Sequence, residues 1–457
     1  MVVNVIPQPV SVDEREGTSA AEALEVSEHV VSPSRASGDG GASGDGGASG
    51  DGGASGDGGA EGYTLDISAD GIRIEATDDA GAFYARQTLA QLVDASGRVP
   101  HVRIDDYPRF AYRGAMLDVA RHFFPVEAVK RYIDDIALLK LNHLHLHLTD
   151  DQGWRIHLDS WPELTGVGAS TQVGGGGGGF YTKDDYREIV EYAASRFVTI
   201  VPELDMPGHT NAAIAAYPEL GDAPVEPYEG IEVGFSSLAI RSERTYEFIA
   251  DVTRELAELT PGPYLHLGGD ESLATTDEDF RYFIARATAI GADTGKTIIG
   301  WHEMGRSRDL PPGTVGQYWG FTTPQEGAAA PTLSFVEQGG RVILSPADAI
   351  YLDMKYDESS PLGLVWANGP TSVARSFEWE PTEVVPGLGE EGILGVEAPL
   401  WTETLSTVEE LETMAFPRIA SAAEIAWSQR RPRVFAEFEP RLAAFTAHLD
   451  RHGIAHG

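Results

Sequence analysis

The sequence predicts an α/β protein: a (β/α)8 TIM barrel preceded by a small α+β N-terminal domain. Three observations predict it. Beyond residue 109, eight short apolar runs recur over about 320 residues, at 115–119, 141–148, 198–204, 264–267, 297–301, 314–319, 341–344 and 392–398. Amphipathic stretches lie between several of them, and eight strand–helix units in that length imply a barrel with its site at the strand C-termini. Ahead of Pro108 the pattern differs, with strands and one helix but no strand–helix repeat. The expected domains are therefore 1–108 and 109–457.

In chain order, residues 5–31 alternate loosely and give way to Ser37-Gly38-Asp39-Gly40-Gly41-Ala42, a unit present four times up to Ala60. With no apolar residue larger than alanine, 37–60 has nothing to bury and is expected to be a flexible acidic linker. A calcium-binding β-roll would need a large aliphatic residue in each turn. Residues 63–67 and 71–76 alternate as two strands joined at Ala69-Asp70-Gly71. Phe83, Leu89, Leu92 and Val93 then follow at helical spacing. Inside the barrel, Val126, Val129, Ile133, Ile136 and Leu139 recur three or four apart behind Pro125, a helix start. The glycine run at 174–179 reads as a mobile excursion in a long βα loop. The segment from Glu409 onward is expected to be helical and arginine-rich, closing the barrel.

Composition narrows the chemistry. The chain of 457 residues has no cysteine, which excludes disulfides and thiolate metal sites. Asp and Glu total 71 against 33 Lys and Arg, a formal net charge of −38. Such a field repels nucleic acid and anionic membranes. Lysine is confined to Lys130, Lys140, Lys183, Lys296 and Lys355, and acidic excess with scarce lysine suggests adaptation to high salt. No window is apolar enough for a membrane span, and the opening residues have neither a basic region nor a long apolar one. A cytoplasmic location is the expectation, or secretion if a signal has been removed. Oligomeric state is not legible.

The residues just past each run are chemically biased. They are Arg121 and His122; Asp150 and Asp151; Glu203, Asp205 and His209; Asp270 and Glu271; Trp301, His302 and Glu303; Trp319; Tyr351 and Asp353; Trp401 and Glu403. Indoles for the apolar faces of a pyranose, with acids and an arginine for its hydroxyls, suit a sugar pocket. Two other readings compete. Asp270 and Glu271, after Tyr264-Leu265-His266-Leu267-Gly268-Gly269, are also good cap residues for a following helix. His143, His145 and His147 share one strand face and raise a metal-dependent barrel hydrolase, but the later strand ends offer Gln317 and Trp319 in place of further histidines. Buried, hydrogen-bonded histidines are expected instead.

Four ordered motifs carry a resemblance: residues 112–124, with Arg113-Gly114 and Ala120-Arg121-His122; 145–155, with Asp150-Asp151-Gln152-Gly153-Trp154; Pro202-Glu203-Leu204-Asp205-Met206-Pro207-Gly208-His209; and His266-Leu267-Gly268-Gly269-Asp270-Glu271. Together they resemble glycoside hydrolase family 20, the β-N-acetylhexosaminidases, from about residue 71 onward. The likeness is weakest over the first 60 or so residues, where the repeat occupies a strand-bearing part of the family's small domain.

The resemblance implies a retaining exo-acting enzyme on terminal non-reducing β-linked GlcNAc or GalNAc. Its mechanism is substrate-assisted: the 2-acetamido oxygen is the nucleophile and gives an oxazolinium intermediate. By the same matches Glu271 is the acid/base, Asp270 holds the acetamido N–H, and Tyr351 donates to the acetamido oxygen. Trp301, Trp319 and Trp401 box the methyl, Arg121, Asp353 and Glu403 bind sugar hydroxyls, Asp150 and His209 orient the acid/base, and Trp366 walls the leaving-group side. The implied partner is a carbohydrate ending in N-acetylhexosamine, such as a chitin oligomer, glycoconjugate or wall fragment. No cofactor or metal is implied. A non-catalytic sugar-binding relative is the alternative.

Overall fold

The structure, a computed structural model, describes residues 3–30 and 59–457, so the expected linker at 37–60 lies outside it up to residue 58. The chain divides into two compact units, Met1–Arg109 with Trp427–Arg430, and Phe110–Ala426 with Arg431–Gly457.

In the first unit, strands β1 (Ser11–Ala20), β2 (Val26–Val30), β3 (Tyr63–Ser68), β4 (Gly71–Ala76) and β5 (Arg98–Asp106) form a sheet in the order β1-β5-β3-β4-β2. Pairing is antiparallel except between β2 and β4. The helix Asp79–Leu92 is capped by Asp78, whose carboxylate accepts from the Gly81 N–H. It covers the alternating face of Tyr63, Leu65, Ile67, Ile72 and Ile74. The sequence reading missed β5. Its buried positions Val99, Val102 and Ile104 change parity at Pro100 and His101, which hides the period-two signal. It also gave all of 109–457 to the barrel. Trp427 instead packs in the small unit's core, and its indole N–H donates to Asp106 at 2.9 Å.

The second unit contains all eight expected strands: β6 (Tyr112–Asp118), β7 (His143–His147), β10 (Thr199–Glu203), β11 (Tyr264–His266), β12 (Thr297–Trp301), β13 (Val315–Tyr318), β14 (Val342–Leu344) and β15 (Ile393–Leu400). A two-stranded ribbon, β8 (Thr149–Asp150) with β9 (Gly153–Trp154), follows β7. The eight parallel strands close in sequence order as a barrel, with β15 pairing back onto β6. β6 begins three residues earlier than expected because Tyr112, Arg113 and Gly114 pair with Gly395, Val396 and Glu397. Val126–Ala137 is the expected amphipathic helix, burying Val129, Tyr132, Ile133 and Ile136. The tail is helical over Val408–Ala415, Ile419–Trp427 and Phe435–His452. The glycine run is tied down at both ends, where Gly174 and Gly179 donate to the Glu229 and Ala169 carbonyls. No helix among the described residues is long and apolar enough to cross a membrane.

The barrel interior is layered. Tyr112, Val201, Ile299, Val315, Ile343 and Leu394 plug it toward the strand starts. A polar layer follows, and then an aromatic layer of Trp301, Tyr351 and Trp401 with Met116 and Met354. This order puts the rigid, densely packed part beneath the strand ends, which is what a site needs to hold its geometry.

Candidate active site

Asp270 and Glu271 follow β11 through Gly268 and Gly269, which take φ of +63° and +99°. Gly268 is required there, because a Cβ would overlap the Asp205 carboxylate, and Asp205 accepts the Gly269 N–H at 3.1 Å. Glu271 itself has φ +41° and His209 φ +57°, left-handed conformations that cost a non-glycine residue about 1–3 kcal/mol and that cluster where geometry matters. Neither acid caps the following helix. Asp277–Ala292 is capped by Thr276, whose hydroxyl accepts from the Asp279 N–H.

His209 stands between the acids and Asp150. Its Nδ1 lies 3.2 Å from Asp150 Oδ1, and its Nε2 lies 3.5 Å from Glu271 and 3.8 Å from Asp270. Asp150 also binds Arg121 at 2.9 Å and His147 at 2.8 Å. Burial opposes charge on Asp150, but Arg121 and His209 outweigh it and hold its carboxyl well below the usual range. Burial likewise disfavours charge on His209, yet Asp150, Asp270 and Asp205 keep it well above the usual histidine value. Asp270 is pushed up to about 7 by burial, then by Glu271, Glu303 and Glu203, with His209 opposing.

Of the residues expected at the site, Arg121, His209, Asp270, Glu271, Trp319, Tyr351, Asp353, Trp366, Trp401 and Glu403 line one cavity of about 310 Å³. Asp150 and Trp301 stand behind its wall, Asp150 holding Arg121 and His209, and Trp301 backing Trp401 at 6.0 Å. Trp401 also lies under the Arg121 guanidinium at 4.7 Å, a cation–π contact. Tyr351 and Trp319 meet Trp366 edge-on at 5.7 and 6.0 Å, and Trp366 is 46% exposed at the mouth. Asp270 Oδ1, Glu403 Oε2 and Arg121 Nε are buried without a hydrogen-bond partner among the described residues. Buried polar atoms in that condition are costly unless a ligand meets them.

The sequence reading missed Ile231, Val233 and Leu364 on the cavity wall. Ile231 and Val233 are exposed apolar residues in the loop after β10, and that exposure is invisible in a one-dimensional pattern. It also missed Glu397 in the polar layer beneath. His145 places Nε2 at 3.0 Å from Glu203 and Nδ1 at 2.9 Å from Glu397, and His147 bridges Glu203 and Asp150. Burial opposes charge on His145, yet Glu397 and Glu203 raise it to about 9. Both of its ring nitrogens therefore donate and neither offers a lone pair to a metal. The third strand histidine, His143, stacks on Tyr112 at 4.0 Å, and burial lowers it to about 3. His145 and His147 are the buried, hydrogen-bonded histidines the sequence suggested, whereas His143 is only partly buried. Close sets of ligand-type atoms occur at His145, Glu203 and His266 and at Asp205, His209 and Asp270, but each contains an imidazole whose charge the surrounding acids govern.

A closed eight-stranded barrel with acids, one arginine and clustered indoles around a pocket at its strand ends defines a carbohydrate-processing enzyme of the glycosidase class. Comparison with known proteins makes the family specific. The family model described as "Glycosyl hydrolase family 20, catalytic domain" matches residues 110–430, and "Glycosyl hydrolase family 20, domain 2" matches 36–107. The chain belongs to glycosyl hydrolase family 20. A beta-N-acetylhexosaminidase of Cellulomonas fimi is 44% identical over 399 residues, covering 86% of this chain and 79% of that protein. A beta-hexosaminidase of Porphyromonas gingivalis is 36% identical over 429 residues, covering 86% of this chain and 54% of that one. Among solved structures, a family 20 beta-N-acetylglucosaminidase superposes with a TM-score of 0.91 at 49% identity, covering 100% of this chain and 98% of the other. The Streptomyces plicatus N-acetyl-beta-hexosaminidase in complex with thio-NAglucal gives 0.90 at 43%, covering 100% and 96%.

Proposed function

We propose that the chain is a retaining exo-β-N-acetylhexosaminidase that removes terminal β-linked GlcNAc or GalNAc by substrate-assisted catalysis. The observation that carries this reading is the adjacent pair Asp270 and Glu271, unequal in surroundings although neighbours in sequence. The Asp270 side chain is 11% exposed and belongs to the buried cluster around His209, whereas the Glu271 side chain is 31% exposed at the open side. A buried acid suits a fixed partner for the acetamido N–H. A half-open one suits proton exchange with a leaving group and then with water.

In this mechanism Glu271 protonates the glycosidic oxygen while the acetamido carbonyl oxygen of the substrate attacks C1. The C1–O bond to the leaving group breaks and a ring closes onto the amide, which gains positive charge. Asp270 stabilises that charge and Tyr351 donates to the amide oxygen. Glu271 then takes a proton from the water that reopens the ring, giving the product with retained configuration. His209, held by Asp150, keeps both acids oriented. Trp301, Trp319 and Trp401 enclose the acetamido methyl, and Arg121, Asp353 and Glu403 meet the sugar hydroxyls. A cavity of about 310 Å³ suits a single terminal sugar, which supports exo action.

The test is a panel of aryl β-glycosides with and without the 2-acetamido group and with both O4 configurations. Turnover only when the group is present, with the β-anomer formed first by NMR, is the expected result. Equal turnover of the plain glucoside excludes the mechanism, and binding without turnover of any member indicates a non-catalytic relative.

A further inference from the structure

The indoles around the cavity are not held alike. Trp301 is fully buried, and its N–H donates to Glu203 at 3.0 Å. Trp401 is fixed by Trp301 behind it, by the edge-on His147 ring at 4.8 Å and by Arg121 above. Trp319 is only half-buried, and one of its two ring neighbours is the exposed Trp366. What fixes it is polar. Its N–H is shared by the two carboxylate oxygens of Glu303, at 3.1 and 3.0 Å. A donor centred between two oxygens of one rigid carboxylate is restrained in both height and swing, whereas a single acceptor restrains only the first.

Glu303 has no task in the chemistry above, and its place is a costly one for a carboxylate. Its side chain is 18% exposed, and it lies close enough to Asp270 and Glu271 to repel both electrostatically. An apolar residue of like volume in such a position is commonly neutral or favourable for stability, so the carboxylate is better explained by what it holds. We propose that Glu303 is a positioning residue that clamps the Trp319 indole and so sets the size of the acyl pocket, determining which N-acyl hexosamines are accepted. The inference rests on the hexosaminidase reading of the same site. The clamp keeps the indole from swinging toward Trp366 and the mouth, so the wall does not yield to an acyl chain longer than acetyl.

The experiment compares kcat/KM for aryl 2-acetamido- and 2-propionamido-β-glucosides in wild type, Glu303→Met, Glu303→Gln, Trp319→Phe and the double variant Glu303→Met with Trp319→Phe. Methionine fills the volume without an acceptor and removes a buried charge, so folding is preserved. One methylene in a tight apolar pocket is worth about 10- to 200-fold in discrimination. The acetyl-to-propionyl ratio should therefore fall about tenfold in Glu303→Met and at most about threefold in Glu303→Gln, which keeps one acceptor. The double variant should fall no further than Trp319→Phe alone. A merely structural Glu303 would lower both rates together and leave the ratio in place. An unchanged ratio in Glu303→Met, or effects that simply add in the double variant, overturns the clamp while the hexosaminidase reading stands. A wild type that turns over neither glycoside overturns both.

Discussion

Replacing Asp270 by Asn separates what this residue does for the reaction from what it costs the fold. Its carboxyl is pushed from an ordinary 3.8 up to about 7, first by burial and then by Glu271, Glu303 and Glu203. Because the folded-state value is raised, the unfolded chain gives up this proton first. The stability linked to it is intact below about pH 4, declines as pH rises, and is fully lost above about pH 7. Three pH units at about 1.36 kcal/mol each make the loss on the order of 4 kcal/mol above pH 7, and about 2 kcal/mol near pH 5.5. Asparagine is nearly isosteric and never ionises. Asp270→Asn should therefore be more stable than wild type, by a margin that grows by about 2 kcal/mol between about pH 5.5 and about pH 8. Its rate should move the other way. The amide oxygen still accepts a substrate N–H, so KM changes little, but the charge opposite the developing cation is gone and kcat should drop by about 10²–10³. Denaturant unfolding at the two pH values and steady-state kinetics on an aryl N-acetylglucosaminide read both. A stability margin that does not change with pH, or a near-normal kcat, would refute the electrostatic reasoning.

Three further outcomes are expected. Glu271→Gln should lose at least about 10²-fold in kcat on substrates with poor leaving groups, the scale of removing a general acid/base, and near-normal rates would reassign the proton shuttle. Gly268→Ala must bear a φ of +63° and push aside the Asp205 carboxylate; a displacement of about 1 Å at the neighbouring acids should cost about 10²-fold in rate with the fold retained by circular dichroism. With a formal net charge of −38, the melting temperature should climb between millimolar and molar KCl as repulsion is screened; a flat salt series excludes the high-salt adaptation.

The barrel was legible because its strands are short apolar runs flanked by acids and glycines, signals that survive in one dimension. The cavity-lining residues were legible for a related reason: a strand end gives a side chain its direction, so position in the run predicts what reaches the cavity. β5 was lost where Pro100 and His101 shift the parity of its buried residues. Trp427 was lost because its membership of the small unit is a contact across more than three hundred residues of chain, its indole meeting Asp106. The clamp on Trp319 is hidden differently. Glu303 and Trp319 lie at the ends of adjacent strands β12 and β13, and only their closeness in space shows which acid serves the indole rather than the substrate.

The same distinction runs through the barrel mouth and can be stated as chemistry. Asp150 and Glu203 sit between cationic partners, and Glu397 between His145 and the neutral donors Tyr112 and Gln317; these partners, led by Arg121, His147 and His145 respectively, overcome burial and hold all three below the ordinary carboxyl range. They form, with His145, His147, His209 and Arg121, a run of alternating charge from the polar layer up to the pocket. Asp151, Asp205, Asp270 and Glu403 are raised, by burial first, and each keeps an oxygen that no donor among the described residues meets. Asp270 and Glu403 turn toward the cavity, and Asp205 lies against Asp270. An acid lowered by its neighbours is committed to holding other side chains, because neutralising it would strand the cations around it. Of the raised acids, Asp270 and Glu403 also line the cavity, and in the proposed mechanism their unmet oxygens are the ones left for a hydroxyl or an amide that arrives with the substrate. The division between scaffold and working groups in this barrel thus follows from which acids the protein has already satisfied.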